Sequence, residues 1–152
     1  MAAVLALTFF GCGLPSRIPS PTPATANPKA SRYIVQFDKS GRSYGFSDEE
    51  WLSPNHRWKF VVKREERSYS GFYSARVVDT ASSQQRILFT LWDADPGSGL
   101  RLGGRWSDDS EALRLKGETR GFANRNQRNE PFAFDLIYLV EDDRIFRVTE
   151  GG

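Results

Sequence analysis

Short segments rich in aromatic and β-branched residues, separated by turn-forming residues, are the feature that most restricts the fold of this chain. They include Trp58–Val62, Tyr73–Val78 and Arg86–Trp92, and the longest is Phe132–Val140. Such residues favour half-buried strands, and the Asp, Gly and Pro residues between them favour turns. No segment has the sustained helical spacing of apolar residues that an amphipathic helix requires. The sequence therefore predicts an all-β domain.

Several weaker segments complete this prediction. Arg32–Phe37 and the pair Tyr44 and Phe46, separated by a turn at Asp38–Gly41, form a predicted opening hairpin. Polar runs at 63–70 and 118–130 are predicted exposed connections. Three further predicted strands are Leu100–Leu102, Ala112–Leu115, which also contains helix formers, and Arg144–Val148.

Proline dominates the segment that precedes the predicted strands. Five prolines lie between Leu14 and Ala30, among Ser, Thr, Ala and Asn. Proline removes backbone donors and favours the extended polyproline II conformation. At ~3.1 Å per residue, this stretch would reach roughly 50 Å, far enough to hold a small domain clear of a bilayer. We therefore predict a tether over residues 12–30 and a β domain over residues 31–152.

The N-terminus has an apolar run of about ten residues that ends at the single cysteine, Cys12. The run is too short for a membrane-spanning helix and has the length of a signal-peptide core. Gly11 and Cys12 resemble the cleavage site of bacterial lipoproteins, although Phe9 stands where that family usually has leucine. The resemblance implies a signal peptide over residues 1–11 and a lipid on Cys12. The alternative is that Met1–Phe10 forms a buried strand and that Cys12 is a core thiol.

Charge argues against nucleic acid as a partner. The chain has 21 basic and 19 acidic residues. Arg17 and Lys29 lie in the proline-rich segment, which contains no acidic residue. The remaining body is therefore formally neutral, and a nucleic-acid interface normally carries a basic patch. About 120 residues remain, enough for one domain with its own core.

Two segments of the body form a weak internal repeat. Trp51–Val61 and Arg105–Leu115 align so that Ser53 matches Ser107 and Pro54 matches Asp108. Each is followed by a strand that closes in an acidic residue, and then by a strand that begins Arg86-Ile87-Leu88 in one copy and Arg144-Ile145-Phe146 in the other. The copies are about 54 to 60 residues apart, somewhat longer than the ~40–50 residues of propeller blades.

The motif Trp106-Ser107-Asp108-Asp109-Ser110 resembles the strand openings of the β-propeller repeats in the periplasmic Tol-Pal component and in prolyl-oligopeptidase-type propellers. The resemblance covers roughly residues 48–148. It implies two propeller-blade-like antiparallel units, with Ser and Asp building tight turns and Trp106 packed beneath one of them. Two blades cannot close a ring, since propellers typically have 4–8. A small β-sandwich or barrel is therefore the alternative fold.

Few residues suggest chemistry. His56 is the only histidine, so a Ser-His-Asp triad or a His-rich metal site is difficult to build. The loop Asp93–Gly99 alternates oxygen ligands but lacks the distant Glu of a calcium loop. Asp108, Asp109 and Glu111 are close enough to perturb one another's pKa, but local turn formation explains them more simply. We predict no catalytic residue, no metal site and no cofactor.

These observations favour an envelope lipoprotein whose non-enzymatic β domain binds or scaffolds another envelope component. The expected partners are the membrane, through the lipid on Cys12, and an envelope protein. Gly13, rather than aspartate, follows Cys12, and the family rule then implies the outer membrane, facing the periplasm. Two alternatives remain: a hydrolase or carbohydrate-active domain that uses the acidic cluster, and a fragment of a larger propeller protein.

Overall fold

The computed structural model describes residues 22–40, 51–67, 70–93, 101–119 and 132–149. A 3₁₀ turn at Ala24–Ala26 leads into one helix, α1, at Pro28–Lys39. Eight strands follow it: β1 (Trp51–Leu52), β2 (Trp58–Arg67), β3 (Ser70–Asp79), β4 (Gln85–Asp93), β5 (Arg101–Trp106), β6 (Ala112–Thr119), β7 (Phe132–Leu139) and β8 (Arg144–Arg147).

The strands form two four-stranded antiparallel sheets. The first sheet has the order β1-β2-β3-β4 and the second has the order β5-β6-β7-β8. Strands that follow one another in sequence are therefore neighbours in the sheet, as in a propeller blade. The all-β prediction, with two blade-like units or a sandwich, is confirmed. The predicted connection at 63–70 is wrong, because β2 continues to Arg67 and β3 begins at Ser70.

The main core lies between the two sheets. Side chains alternate along a strand, and one face of each sheet is apolar. The first sheet contributes Trp58, Phe60 and Val77, and the second contributes residues such as Trp106 and Tyr138. All five side chains are buried, so the two units fold against one another as a single packed body.

Helix α1 covers the opposite face of the second sheet. Tyr33 and Phe37 pack there against Ile137, Leu139 and Phe146. Ile137 and Leu139, which lie in the longest predicted strand, are both fully buried. They contact the helix, whereas their neighbours Leu136 and Tyr138 contact the first sheet.

The predicted strand at Arg32–Phe37 is wrong, because this segment lies within α1. Asn27 caps the helix by accepting a hydrogen bond from the Ala30 amide, and Pro28 occupies the first turn, where its missing N–H costs nothing. Ala30, Tyr33 and Phe37 are spaced along one helical stripe and are buried. Val35, which a strand would have placed beside Tyr33 and Phe37, is 49% exposed.

Residues 22–30, which the sequence analysis assigns to the tether, belong to the folded domain in the described structure. Ala24 and Ala30 are fully buried against the second sheet. The Thr22 carbonyl accepts a hydrogen bond from the Arg147 amide, and Pro23 forms a bridge to that edge strand. At most residues 13–21 therefore separate Cys12 from the domain that the structure describes.

The two serine turns of the repeat are equivalent. The Ser53 hydroxyl accepts from the Trp58 amide and donates to Asn55. The Ser107 hydroxyl likewise accepts from the Ala112 amide and donates to Asp109. Both turns therefore close by the same side-chain bonds, at the starts of β2 and β6.

Backbone conformation supports the same repeat. Within the described ranges, four non-glycine residues have positive φ, and they form two pairs, His56 with Ser110 and Ser83 with Asp143. The first pair is 54 residues apart and the second 60, so the second copy is longer by six residues between these turns. The strand register correspondingly places Arg86 opposite Val77 and Phe146 opposite Ile137. The alignment of Arg86 with Arg144 is therefore shifted by two residues.

The two units stack head to tail. Phe60 faces the second sheet, whereas Arg114, its equivalent, faces α1. Conversely, Leu115 and Tyr138 of the second unit face the core, whereas the equivalent Val61 and Val78 lie on the outer face of the first sheet. The two units therefore meet by unlike faces, as neighbouring blades do around a propeller, and not by the same face as across a twofold axis.

Candidate functional site

Helix α1 meets the second serine turn at a cluster of polar groups. The Tyr33 hydroxyl lies 2.8 Å from Asp109 Oδ2 and 3.0 Å from Glu111 Oε2. Arg32 approaches the same Asp109 oxygen at 3.6 Å. Lys29 lies 2.7 Å from Glu141. These contacts join the helix to the turn, so two of the three acidic residues singled out in the sequence converge on Tyr33.

Electrostatics favours the neutral form of Tyr33 and the charged form of Asp109. Burial raises the pKa of the Tyr33 hydroxyl, and its bonds to Asp109 and Glu111 raise it further. Burial opposes ionisation of Asp109, but bonds from Ser107, Tyr33 and the Glu111 amide together lower the pKa of its carboxyl. Asp109 is therefore an anion whose oxygens are occupied by donors from the protein.

This arrangement does not resemble a pair of catalytic carboxylates. The oxygens of Asp109 and Glu111 contact the Tyr33 hydroxyl, and Asp109 also accepts hydrogen bonds from the Ser107 hydroxyl and the Glu111 amide, so both carboxylates are engaged within the protein. Asp108 lies exposed in the turn, apart from the Tyr33 bonds. The geometry therefore gives the hydrolase alternative no support. His56 is exposed at the first turn, as predicted for a surface residue.

A second polar group fixes the other end of α1. Arg114 is buried, with its side chain 5% exposed. It donates two hydrogen bonds to the carboxylate of Asp135, at 2.9 and 2.7 Å, and one to Asp38 of the helix. A buried charge is costly unless it is paired, so this bidentate pair holds Arg114 in place. Sequence reasoning missed this pair, although a charge at Asp135 inside the longest apolar strand was a signal.

Arg86 links the two sheets. Its guanidinium donates to the Tyr138 hydroxyl at 3.1 Å and to the Val140 carbonyl at 2.8 Å, and lies over the Trp58 ring. The pKa of the Tyr138 hydroxyl is raised to about 12. Burial is the largest cause, the bond to Arg86 lowers the pKa, and the bond to Asp143 raises it. The contacts of Arg86 are thus structural.

Among the described residues outside the helix, the large hydrophobic side chains that are exposed lie on the outer face of the first sheet. Leu52 is 50% exposed and Ile87 is 60% exposed. We define this outer face by the side chains that point away from the core, given the strand register. They are Leu52, Lys59, Val61, Lys63, Ser74, Arg76, Val78, Gln85, Ile87 and Thr90, of which Ser74 is buried. The second sheet buries its equivalent face in the core, so this is the candidate binding surface.

Some predicted residues lie outside the described part of the chain. They include Cys12, the signal-like segment, residues 94–99 of the Asp93 loop, and Tyr44 and Phe46. Among the described residues, no group of His, Cys, Asp or Glu could hold a metal ion. Within those same ranges, no helix is long and apolar enough to cross a membrane.

Comparison with protein-family models, curated proteins and solved structures found no match for this chain.

Proposed function

We propose that this protein is a lipid-anchored envelope protein whose β domain binds or scaffolds another component of the bacterial envelope. The observation that carries the proposal is the apolar run that ends at Gly11 and Cys12. A thioether-linked lipid on this cysteine would use the only thiol in the sequence. Proline residues follow at once, which suits a linker between an anchor and a domain.

The described domain supports a binding role through its construction. The polar clusters at Tyr33, Arg86 and Arg114 are engaged in joining structural elements. The helix covers one end of the two-sheet stack, and the outer face presents Leu52 and Ile87 at the other. These two residues lie at opposite edges of the sheet, with the half-buried Val61 and Val78 on the strands between them, and we take this apolar set as the interaction surface.

The anchoring step is tested by replacing the thiol. Cys12→Ala should abolish metabolic labelling with a fatty acid and move the protein from the membrane fraction to the soluble fraction. Ser16→Ala, four residues further on, is the matched control and should label like the unaltered chain. Labelling and membrane association that survive in Cys12→Ala would refute the anchor, and the proposed location with it.

A further inference from the structure

We propose that residues 19–21 of the linker pair with the outer edge of β8, on the side that faces away from β7, and extend the second sheet by a short parallel strand. The proposal goes beyond the proposed function, because the pairing does not require a lipid on Cys12. Residues 19–21 precede the part of the chain that the structure describes. They lead directly into Thr22, which is bonded to this edge.

Two described contacts set the direction of this pairing. The Arg147 amide donates a hydrogen bond to the Thr22 carbonyl at 2.9 Å, and Pro23 forms a parallel bridge to Arg147. Paired residues advance together along two parallel strands, so the two residues before Thr22 fall beside Ile145 and Arg144 of β8. The linker is therefore directed along β8 toward the first residue of that strand.

The backbone of β8 directs hydrogen-bonding groups to this edge at alternate residues. The Val148 amide donates to the carbonyl of Asp135, the residue opposite it, so every second residue before Val148 also bonds to β7. Ile145 and Arg147 therefore direct their N–H and carbonyl groups away from β7. The Arg147 amide is bonded to Thr22, and Ile145 directs an equivalent donor and acceptor to the same edge two residues earlier.

The prolines of the linker lie where such a strand needs no amide. Because the Arg147 amide bonds to the carbonyl before Pro23, the even-numbered residues face β8 and the odd-numbered residues face away. The sequence has Ser20, Thr22 and Ala24 at the facing positions and proline at 19, 21 and 23. Proline suits an edge strand where its missing N–H would point to solvent. Pro23 already has an extended conformation, with φ −54° and ψ 135°.

The side chains fit the same register. Ala24 and Phe146 are buried together on the side of the sheet that α1 covers. Side chains alternate along a strand, so Pro21 falls on the opposite side, beside Ile145. Ile145 is half-buried and packs against the main core, so a proline beside it removes more of its apolar surface from water. Ser20 falls beside the exposed Arg144, where a small polar side chain is suited.

The linker is favoured over a strand of another molecule at this edge. It begins one residue from a fixed group, and such tethering raises the effective concentration. Edge strands pair readily with other chains, so the linker would also protect β8 from such contacts. At most residues 13–19 then separate Cys12 from the sheet. The eight peptide units from Cys12 to Ser20 span at most about 30 Å.

Disulfide formation in the full chain tests the register. Cys12→Ala leaves a background without cysteine. Ser20→Cys with Arg144→Cys then places two thiols at paired positions, where Cα atoms of neighbouring strands about 4.8 Å apart suit a disulfide. The matched control is Ser20→Cys with Thr149→Cys, whose second thiol lies at an exposed residue on the other side of the Thr22 attachment. An unpaired linker would reach either thiol, whereas a paired linker reaches only the thiol at position 144.

Hydrogen exchange of the Ile145 amide tests the pairing without a disulfide. In the Cys12→Ala chain, we expect Ser20→Pro to raise the exchange rate of this amide about fivefold, because the proline ring would point toward β8 and prevent the approach of the Ser20 carbonyl. Pro21→Ala changes a residue that faces away from β8, and it should leave the rate unchanged.

We expect the disulfide with position 144 to form at least about tenfold faster than the disulfide with position 149. Equal rates, or no disulfide with position 144, would overturn the proposal. An Ile145 amide that exchanges at the same rate in Ser20→Pro and Pro21→Ala would also overturn it. Both measurements use chains without Cys12, so failure of this inference is distinct from failure of the lipid anchor.

Discussion

Replacing Gly117 by alanine is expected to destabilise the domain by about 2–3 kcal/mol. Gly117 on β6 lies directly opposite Phe134 on β7. A Cβ atom at Gly117 would lie 2.0 Å from Phe134 Cζ and 2.1 Å from Cε1. Carbon atoms in contact prefer ~3.5–4.0 Å, so the ring must move by about 1.5 Å.

The ring has little space for this movement. Phe134 packs edge-on against Phe89 in the other sheet, with the ring centroids 5.4 Å apart. Overpacking a core typically costs about 1–3 kcal/mol, and disturbing an aromatic pair costs about 0.5–1.5 kcal/mol. Gly104→Ala is the graded control: its Cβ would lie 2.9 Å from Phe60 Cδ1, so we expect a cost of about 1 kcal/mol.

Urea unfolding, followed by tryptophan fluorescence, measures both changes. The double variant Gly117→Ala/Phe134→Leu should be more stable than the sum of the single variants predicts, by at least ~1 kcal/mol, because the smaller side chain removes the clash. A Gly117→Ala chain within ~0.5 kcal/mol of the unaltered protein, or strictly additive variants, would refute the close packing of this pair.

Two further predictions concern the serine turns. Trp106→Ala should lower the free energy of unfolding by roughly 3–5 kcal/mol, because loss of the buried indole leaves a cavity and removes the hydrogen bond from Nε1 to the Trp51 carbonyl. His56→Ala, at an exposed turn, should lower it by no more than about 0.5 kcal/mol. Similar urea midpoints for the two variants would contradict this difference. Asp109 has a lowered pKa in the folded state, so the stability that it contributes is present above its unfolded pKa of about 3.9 and is lost as the pH falls below that value. As the pH is lowered, the free energy of unfolding should therefore fall less steeply for Asp109→Asn than for the unaltered chain. Parallel curves for the two proteins would contradict this prediction.

The sequence predicted the strands well and the helix badly, for physical reasons. Segments such as Trp58–Val62 have side chains that favour strands and bury one face, so local preference and packing agree. In Arg32–Phe37, aromatic and β-branched residues also favour a strand, but contacts to the second sheet select a helix. The cap at Asn27 and Pro28 was a readable signal. The packing of that helix on Ile137 could not be read from the sequence, because the contact joins segments that are far apart in the chain.

In the candidate sites too, contacts within one turn could be predicted from the sequence, whereas contacts between distant residues could not. The equivalence of Ser53 and Ser107 was readable, because each hydroxyl bonds within its own turn. The meeting of Tyr33 with Asp109 was not, since 76 residues separate them. The binding surface required both kinds of information. Leu52 and Ile87 are ordinary apolar strand residues in the sequence, and only the strand register places them on the exposed face.

The head-to-tail relation of the two units explains how two blades form a domain without a ring. Stacked repeats need end units whose outer faces tolerate water. At one end, α1 buries Ile137 and Phe146. At the other end, positions equivalent to the buried Leu113 and Leu136 are occupied by Lys59 and Arg76. These charged residues oppose the stacking of a further unit on this face, because burying a charge is costly unless it is paired.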